Sequence, residues 1–160
     1  SNIDVINHKC YDLKCRILAP PELLALKFRR DESSPLPESG QLAPELSFEL
    51  LVSRFAREDI GITLELALRG VPGIEASTTF RVAFRIPAGL ADDDLARDLR
   101  LMAAHTAPAM LYPFMRETLA GAFMKAGLPP FLAPVIDFRA MFDPSDVSIP
   151  DAPPQSSEPK

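Results

Sequence analysis

The first half of the chain alternates between apolar and polar positions with period two. In Leu46-Ser47-Phe48-Glu49-Leu50-Leu51-Val52-Ser53, one face carries Leu46, Phe48, Leu50 and Val52. Ile60, Ile62, Leu64, Leu66 and Leu68 alternate with Gly61, Thr63, Glu65, Ala67 and Arg69. Thr78, Phe80, Val82, Phe84 and Ile86 alternate with Ser77, Thr79, Arg81, Ala83 and Arg85. A strand with one buried and one wetted face needs this pattern. Arg57-Glu58-Asp59 and Gly70-Val71-Pro72-Gly73 supply the connections, so the three segments predict an antiparallel meander. The register follows from the same alternation. Leu64, Leu66, Phe80, Val82 and Phe84 should face inward, with Glu65, Arg69, Arg81 and Arg85 outward, because a one-residue slip would reverse all of them. Arg81 and Arg85 should then lie near acids of neighbouring strands. An earlier strand is expected to start near Cys10, bend at Pro20-Pro21 and resume through Leu24, Leu26 and Phe28. Two adjacent residues without amide hydrogens place it at a sheet edge. Residues 31–44, with Pro35, Pro37, Gly40 and Pro44, read as a long loop within one domain.

Beyond residue 90 the period changes. Short helical pieces are predicted between Asp92 and Met102, where Asp92, Asp93 and Asp94 suit the positive end of a helix dipole. A clear helix spans residues 108–126, with Thr106 or Ala107 before a first-turn Pro108 and Gly127 as its C-terminal stop. Pro129-Pro130 prevent continuation, and Pro113 should bend the helix or mark its first turn. Leu111, Phe114, Thr118, Leu119, Ala122, Phe123 and Ala126 form its apolar stripe, widened by Met110, Met115, Gly121 and Met124. That stripe exceeds what one sheet face requires, which predicts a second contact with another subunit. The fold class is α+β: a four-stranded antiparallel sheet with one long helix on one face.

Composition narrows the functional classes. The 160 residues suit a single domain with a core of its own. The net charge of −5 argues against nucleic acid as a partner. Most of that charge lies in residues 143–160, where four acids and five prolines accompany one base. This stretch is expected to be a mobile acidic tail, with the domain occupying residues 1–142. No apolar run approaches the length of a membrane span, and residues 1–4 show no basic start of a secretory signal. Cys10 and Cys15 cannot form a disulfide framework and lack metal-binding spacing, which points to a reducing, cytoplasmic setting.

From Pro108 onward the chain resembles the SecB family of bacterial export chaperones and their SecB-like relatives. The resemblance is carried by Pro108-Ala109-Met110-Leu111-Tyr112-Pro113-Phe114-Met115-Arg116-Glu117, then Ala126-Gly127-Leu128-Pro129-Pro130, and finally Leu132, Pro134, Ile136, Asp137 and Phe138. It implies an ATP-independent chaperone without a cofactor that binds non-native polypeptides. It also implies a homotetramer built as a dimer of dimers, with edge strands paired and long helices sandwiched between two sheets. The implied interface residues are Leu111, Met115, Leu119, Ala122 and Phe123. The implied client groove lies where residues 90–101 meet residues 129–142, with Leu90, Leu95, Leu99, Leu128, Phe131, Leu132 and Phe142 as contacts. Asp137 stands where the family usually has Asn, and Val135 where it often has Pro. The family's second amphipathic helix is short or absent, since Asp143-Pro144 follows Phe142 at once. A wider, shallower groove is expected in consequence. The mixed charges of the outer sheet face argue against the acidic docking of the motor SecA that the family implies. The alternative is a SecB-like adaptor for one client, such as an antitoxin, or for a small apolar ligand.

Other chemistry is thinly represented. His8 and His105 have no metal-ligating neighbours at useful spacing. Arg116-Glu117 reads as a pair needing separate structural partners, and an arrangement of Arg116, Glu117 and His105 as a hydrolase centre has no supporting motif. No Gly-rich phosphate loop is present, so no enzyme is predicted.

Overall fold

A computed structural model describes residues 15–35, 44–129, 131 and 133–154. Among them four strands form one antiparallel sheet: β1 (Arg16–Arg30), β2 (Glu45–Arg54), β3 (Asp59–Arg69) and β4 (Ile74–Arg85). Their spatial order is β1-β4-β3-β2, so β2, β3 and β4 are the expected meander and β1 returns to pair with β4. Helix α1 (Asp92–Leu101) runs through a π segment (Met102–Thr106) into α2 (Ala107–Lys125). A single turn α3 (Phe138–Met141) and a 3-10 turn (Pro144–Asp146) follow. The start of β1 near Cys10, together with His8 and Leu132, lies outside the described residues.

The register is the one expected. Ile60, Ile62, Leu64 and Leu66 of β3 are wholly buried, as are Val82 and, almost completely, Phe80 and Phe84 of β4. Arg69 and Arg85 are exposed, and Glu65 and Arg81 are half-buried. Arg81 bonds Glu22 of β1 at 2.6 Å, and Arg85 grips both carboxylate oxygens of Asp59 at 2.8 and 2.9 Å. The guanidinium holds the Asp59 carboxyl below its ordinary range, chiefly by hydrogen bonding. Pro20 and Pro21 coincide with a shift in the β1–β4 ladder, between the pairs Ala19–Ala83 and Glu22–Arg81. The double proline is therefore carried as a bulge in an edge strand, where missing donors are least damaging.

One expectation is corrected. The helix does not start afresh before Pro108; Thr106 is itself helical and makes no side-chain cap. Its predecessor joins it through the π segment, in which the Ala107 amide reaches back five residues to the Met102 carbonyl. The wider turn comes just where the Pro108 ring would press on the carbonyl of the fourth residue back. Part of the stretch expected as a mobile tail lies against the domain, as far as Pro150. Val147 and Ile149 pack against the core, and Arg54 donates to the Pro150 carbonyl at 3.1 Å. Pro, Ser and Asp dominate the composition there and mask two well-placed β-branched side chains. The predicted C-terminal stop does hold. Gly127 has φ +69°, with its amide bonded to the Met124 carbonyl and that of Leu128 to Phe123.

Gly73 and Gly89 both have left-handed backbone (φ +73° and +94°), but only Gly73 is crowded. A Cβ there would lie 2.5 Å from Ser34 Cβ, while none lies within 4 Å at Gly89. Gly89→Ala should cost about 1 kcal/mol from backbone strain alone, and Gly73→Ala about 2–3 kcal/mol. Urea unfolding of the two variants checks the difference.

Candidate functional site

One protomer leaves apolar surface on two sides of the sheet, and the two sides are built differently. On the β1 side the strand edge has no partner strand among the described residues, and it exposes Leu23 (50%), Leu24 (44%) and Leu26 (43%). Leu23 and Leu26 lie opposite Phe80 and Thr78, on the helix-facing side, while Leu24 falls at a register shift between Leu23 and Ala25 that interrupts the alternation. Between β1 and α2 lies an open groove of about 760 Å³, lined by Leu23, Leu26, Phe28, Phe114, Gly121 and Ala122. Gly121 and Ala122 make a shallow stretch of helix, with nothing within 4 Å of where a Gly121 side chain would start.

On the β2 side, aromatic rings are stacked into a wall. Phe48 of β2, Tyr112 of α2 and Phe138 of α3 touch pairwise edge to face at 5.4–5.9 Å between centroids. Phe142 lies parallel to Phe138 at 6.1 Å. The Tyr112 hydroxyl donates to the Pro134 carbonyl at 2.6 Å, which ties the segment after α2 to the helix. Burial pushes the Tyr112 hydroxyl pKa up, opposed by the positive charge of Arg116, whose guanidinium lies 5.7 Å from the ring centre. His105 Nε2 meets the Phe142 carbonyl at 2.9 Å, a bond that requires the proton on Nε2. Beside this wall, a slot of about 570 Å³ opens between Leu50, Leu51 and Val52 of β2 and Phe142, Val147 and Pro150 of the C-terminal segment.

The crossover into α1 is pinned by one guanidinium. Arg57 donates to the Leu90 carbonyl at 2.6 Å and to Asp92 at 3.0 Å, and it also pairs with Glu58. The three acids at the start of α1 occupy its first turn, as expected.

The residues expected to line a client groove fall into two places. Leu90 and Phe142 are half-buried, whereas Leu95 and Leu99 turn into the protomer core. Leu128 and Phe131 are buried near the far end of the helix, where Phe131 stacks on Phe123 at 5.3 Å and Phe28 meets Phe123 at 5.4 Å. Leu99 and Phe123 are 24 residues apart in a continuous helix, so the two groups are separated by about 36 Å. Of the expected interface residues, Leu111, Met115, Leu119 and Phe123 are buried within the protomer, and only Ala122 lines the open groove. Phe114 (44% exposed), placed in the helix's apolar stripe but not among the interface residues, lines the groove, and the β1 leucines are the apolar groups that this reading overlooked. Their signal was present: in Leu23-Leu24-Ala25-Leu26 the apolar residues are consecutive, which a half-buried strand does not need. Arg116 and Glu117 are both exposed; of the separate partners expected for them, Arg116 has the Tyr112 ring.

Residues 31–147 match the family model described as Preprotein translocase subunit SecB. Over 119 residues the chain is 29% identical to a protein-export protein SecB of Ehrlichia chaffeensis, a stretch covering 71% of this chain and 61% of that protein. The protein of the same name from Anaplasma marginale (strain Florida) is 27% identical over 125 residues, covering 78% and 65%. The chain thus spans less than two thirds of the length of these relatives. Among solved structures, a Mycobacterium tuberculosis SecB-like chaperone in complex with a ChAD peptide from the HigA1 antitoxin superposes with a TM-score of 0.64. The likeness covers 85% of this chain and 100% of that one at 21% identity, and it speaks to the fold.

Tyr112→Phe removes the hydrogen bond to Pro134 and keeps the ring. A loss of about 0.5–1.5 kcal/mol is expected, with faster proteolysis in residues 129–137. Urea unfolding and limited proteolysis measure both.

Proposed function

The chain belongs to the SecB family, and from that premise we propose that it is an ATP-independent cytoplasmic chaperone that holds non-native polypeptides for export. The observation that supports this most is the apolar surface that a single protomer leaves uncovered on both sides of its sheet. No helix among the described residues is long and apolar enough to cross a membrane.

The two sides suit different tasks. β1 extends over 15 residues, about 50 Å of edge with no partner strand among the described residues, and it carries exposed leucines. An edge of that length needs permanent cover. We assign it to self-assembly: β1 pairs with β1 of a second copy, and the Phe114, Gly121 and Ala122 face of α2 packs in a dimer of dimers. Leu111, Met115, Leu119 and Phe123 support that face from beneath. The client surface then lies on the β2 side, where Leu90 and Phe142 are accessible and Leu95 and Leu99 form its floor. Leu128 and Phe131 belong to a second apolar area at the far end of the helix. An extended chain binding through alternate apolar side chains and its own backbone would tolerate varied sequence.

A second reading, an adaptor dedicated to one client such as an antitoxin, is favoured by the outer sheet face. Arg81 and Arg85 pair with Glu22 and Asp59 there, which offsets part of the acidic charge available to a motor such as SecA.

Leu24→Asp combined with Leu26→Asp should split the tetramer, because paired edges cannot bury unpaired carboxylates. Sedimentation at tens of micromolar showing an unchanged mass would remove β1 from the interface. Suppression of aggregation by several unrelated unfolded proteins separates the two readings, since a dedicated adaptor protects one of them. In the same assay Phe142→Ser should weaken client affinity about 3- to 10-fold in an intact assembly. Equal affinity would exclude Phe142 as a contact.

A further inference from the structure

The segment after Phe142 has the chemistry of a client. Its backbone is extended at Phe142, Asp143 and Val147, interrupted only by the 3-10 turn. Val147 and Ile149 are half-buried while Ser148 and Pro150 are exposed, the alternation with which an extended peptide seats itself on an apolar surface. The turn Pro144–Asp146 rests against α1 and the π segment, and Val147 and Ile149 reach the core cluster. The segment therefore lies across the β2 side of the molecule, over the surface assigned above to clients.

It is held there lightly. His105 meets the Phe142 carbonyl at its near end, and Arg54 donates to the Pro150 carbonyl at its far end. Among the described residues, no backbone hydrogen bond joins it to β2. Its own bonds are local: Asp143 accepts from the Ser145 amide and hydroxyl, and the Val147 amide bonds the Pro144 carbonyl. The slot of about 570 Å³ between it and Leu50, Leu51 and Val52 shows that it covers this edge without filling it. Two half-buried β-branched side chains and two polar tethers make a cover that a longer apolar peptide can outcompete.

We propose that residues 143–150 act as an intramolecular pseudo-client, occupying part of the β2-side surface until a non-native polypeptide displaces them. This rests on the chaperone reading above and adds a threshold to it. A client binds with its intrinsic affinity reduced by the fraction of time the strap is open. Segments with fewer apolar side chains than the strap offers are turned away, and longer ones enter.

The test uses the full chain carrying Val147→Ser and Ile149→Ser, and a reduced, alkylated disulfide protein that stays unfolded as the client. The dissociation constant should fall about 3- to 10-fold, and a synthetic peptide of residues 143–154 should compete with the client for the double variant. In the unsubstituted chain, adding client should speed hydrogen exchange at the Ser145, Asp146 and Val147 amides. Client affinity that is unchanged or weaker in the folded double variant overturns the strap and leaves the chaperone reading standing. Absence of client binding by either protein overturns both. Should the double variant fail to fold, Ile149→Ser alone is read by the same criteria.

Discussion

The structure depends on keeping one helix continuous from Asp92 to Lys125 while two prolines fall within it. The inner face of β3 and β4 is apolar along its length, and several of its side chains are completely buried. Only a rod long enough to follow the strands can cover it. Pro108 and Pro113 each remove an amide donor and crowd the carbonyl four residues back. The π segment Met102–Thr106 absorbs the first of these conflicts by shifting to a five-residue hydrogen bond. At the second, Ala109 and Pro113 both lie on the exposed side. Leu95, Leu99, Leu111, Met115, Leu119 and Phe123 thereby stay in phase on one buried line, and the sheet has its cover.

Because this single rod spends its best side chains on the protomer's own core, everything offered outward comes from elsewhere. The β1 edge offers consecutive leucines, and the opposite flank of the helix offers small residues beside Phe114. The β2 side offers an aromatic wall and a slot. The proposed division into one surface for permanent contacts and one for transient contacts rests on their build. The former combines a strand edge without a partner among the described residues with exposed leucines, and the latter is already partly covered by the chain itself.

How much of this was legible differs by element. The β2–β4 register could be read without ambiguity, since a shift by one residue would have buried Arg81 and exposed Phe80. β1 could be placed at an edge from Pro20-Pro21 alone. The join between α1 and α2 was hidden, because Thr106-Ala107-Pro108 has the composition of a helix start. Nothing in residue type distinguishes that from a π segment. The site was less legible still. Leu95, Leu99, Leu128 and Phe131 were expected at a surface because they lie in short or Pro-rich stretches, but those stretches pack by tertiary contacts such as Phe131 on Phe123. Val147 and Ile149 were overlooked for the converse reason, being two apolar residues within a stretch of polar composition.

The strand order has a further consequence on the ribosome. β1 is made first, yet its partner β4 is made last, and the nearest paired residues, Arg30 and Ile74, are 44 positions apart. At about 5–20 residues per second, the nascent edge strand waits for about 2–9 s with its leucines uncovered. During that interval the two successive prolines matter most. They deny neighbouring nascent chains an uninterrupted run of amide donors, so a strand rich in leucine can leave the exit tunnel without templating polysome aggregates. The bulge that the finished sheet tolerates at Pro20-Pro21 thus also interrupts the run of amide donors along the nascent strand.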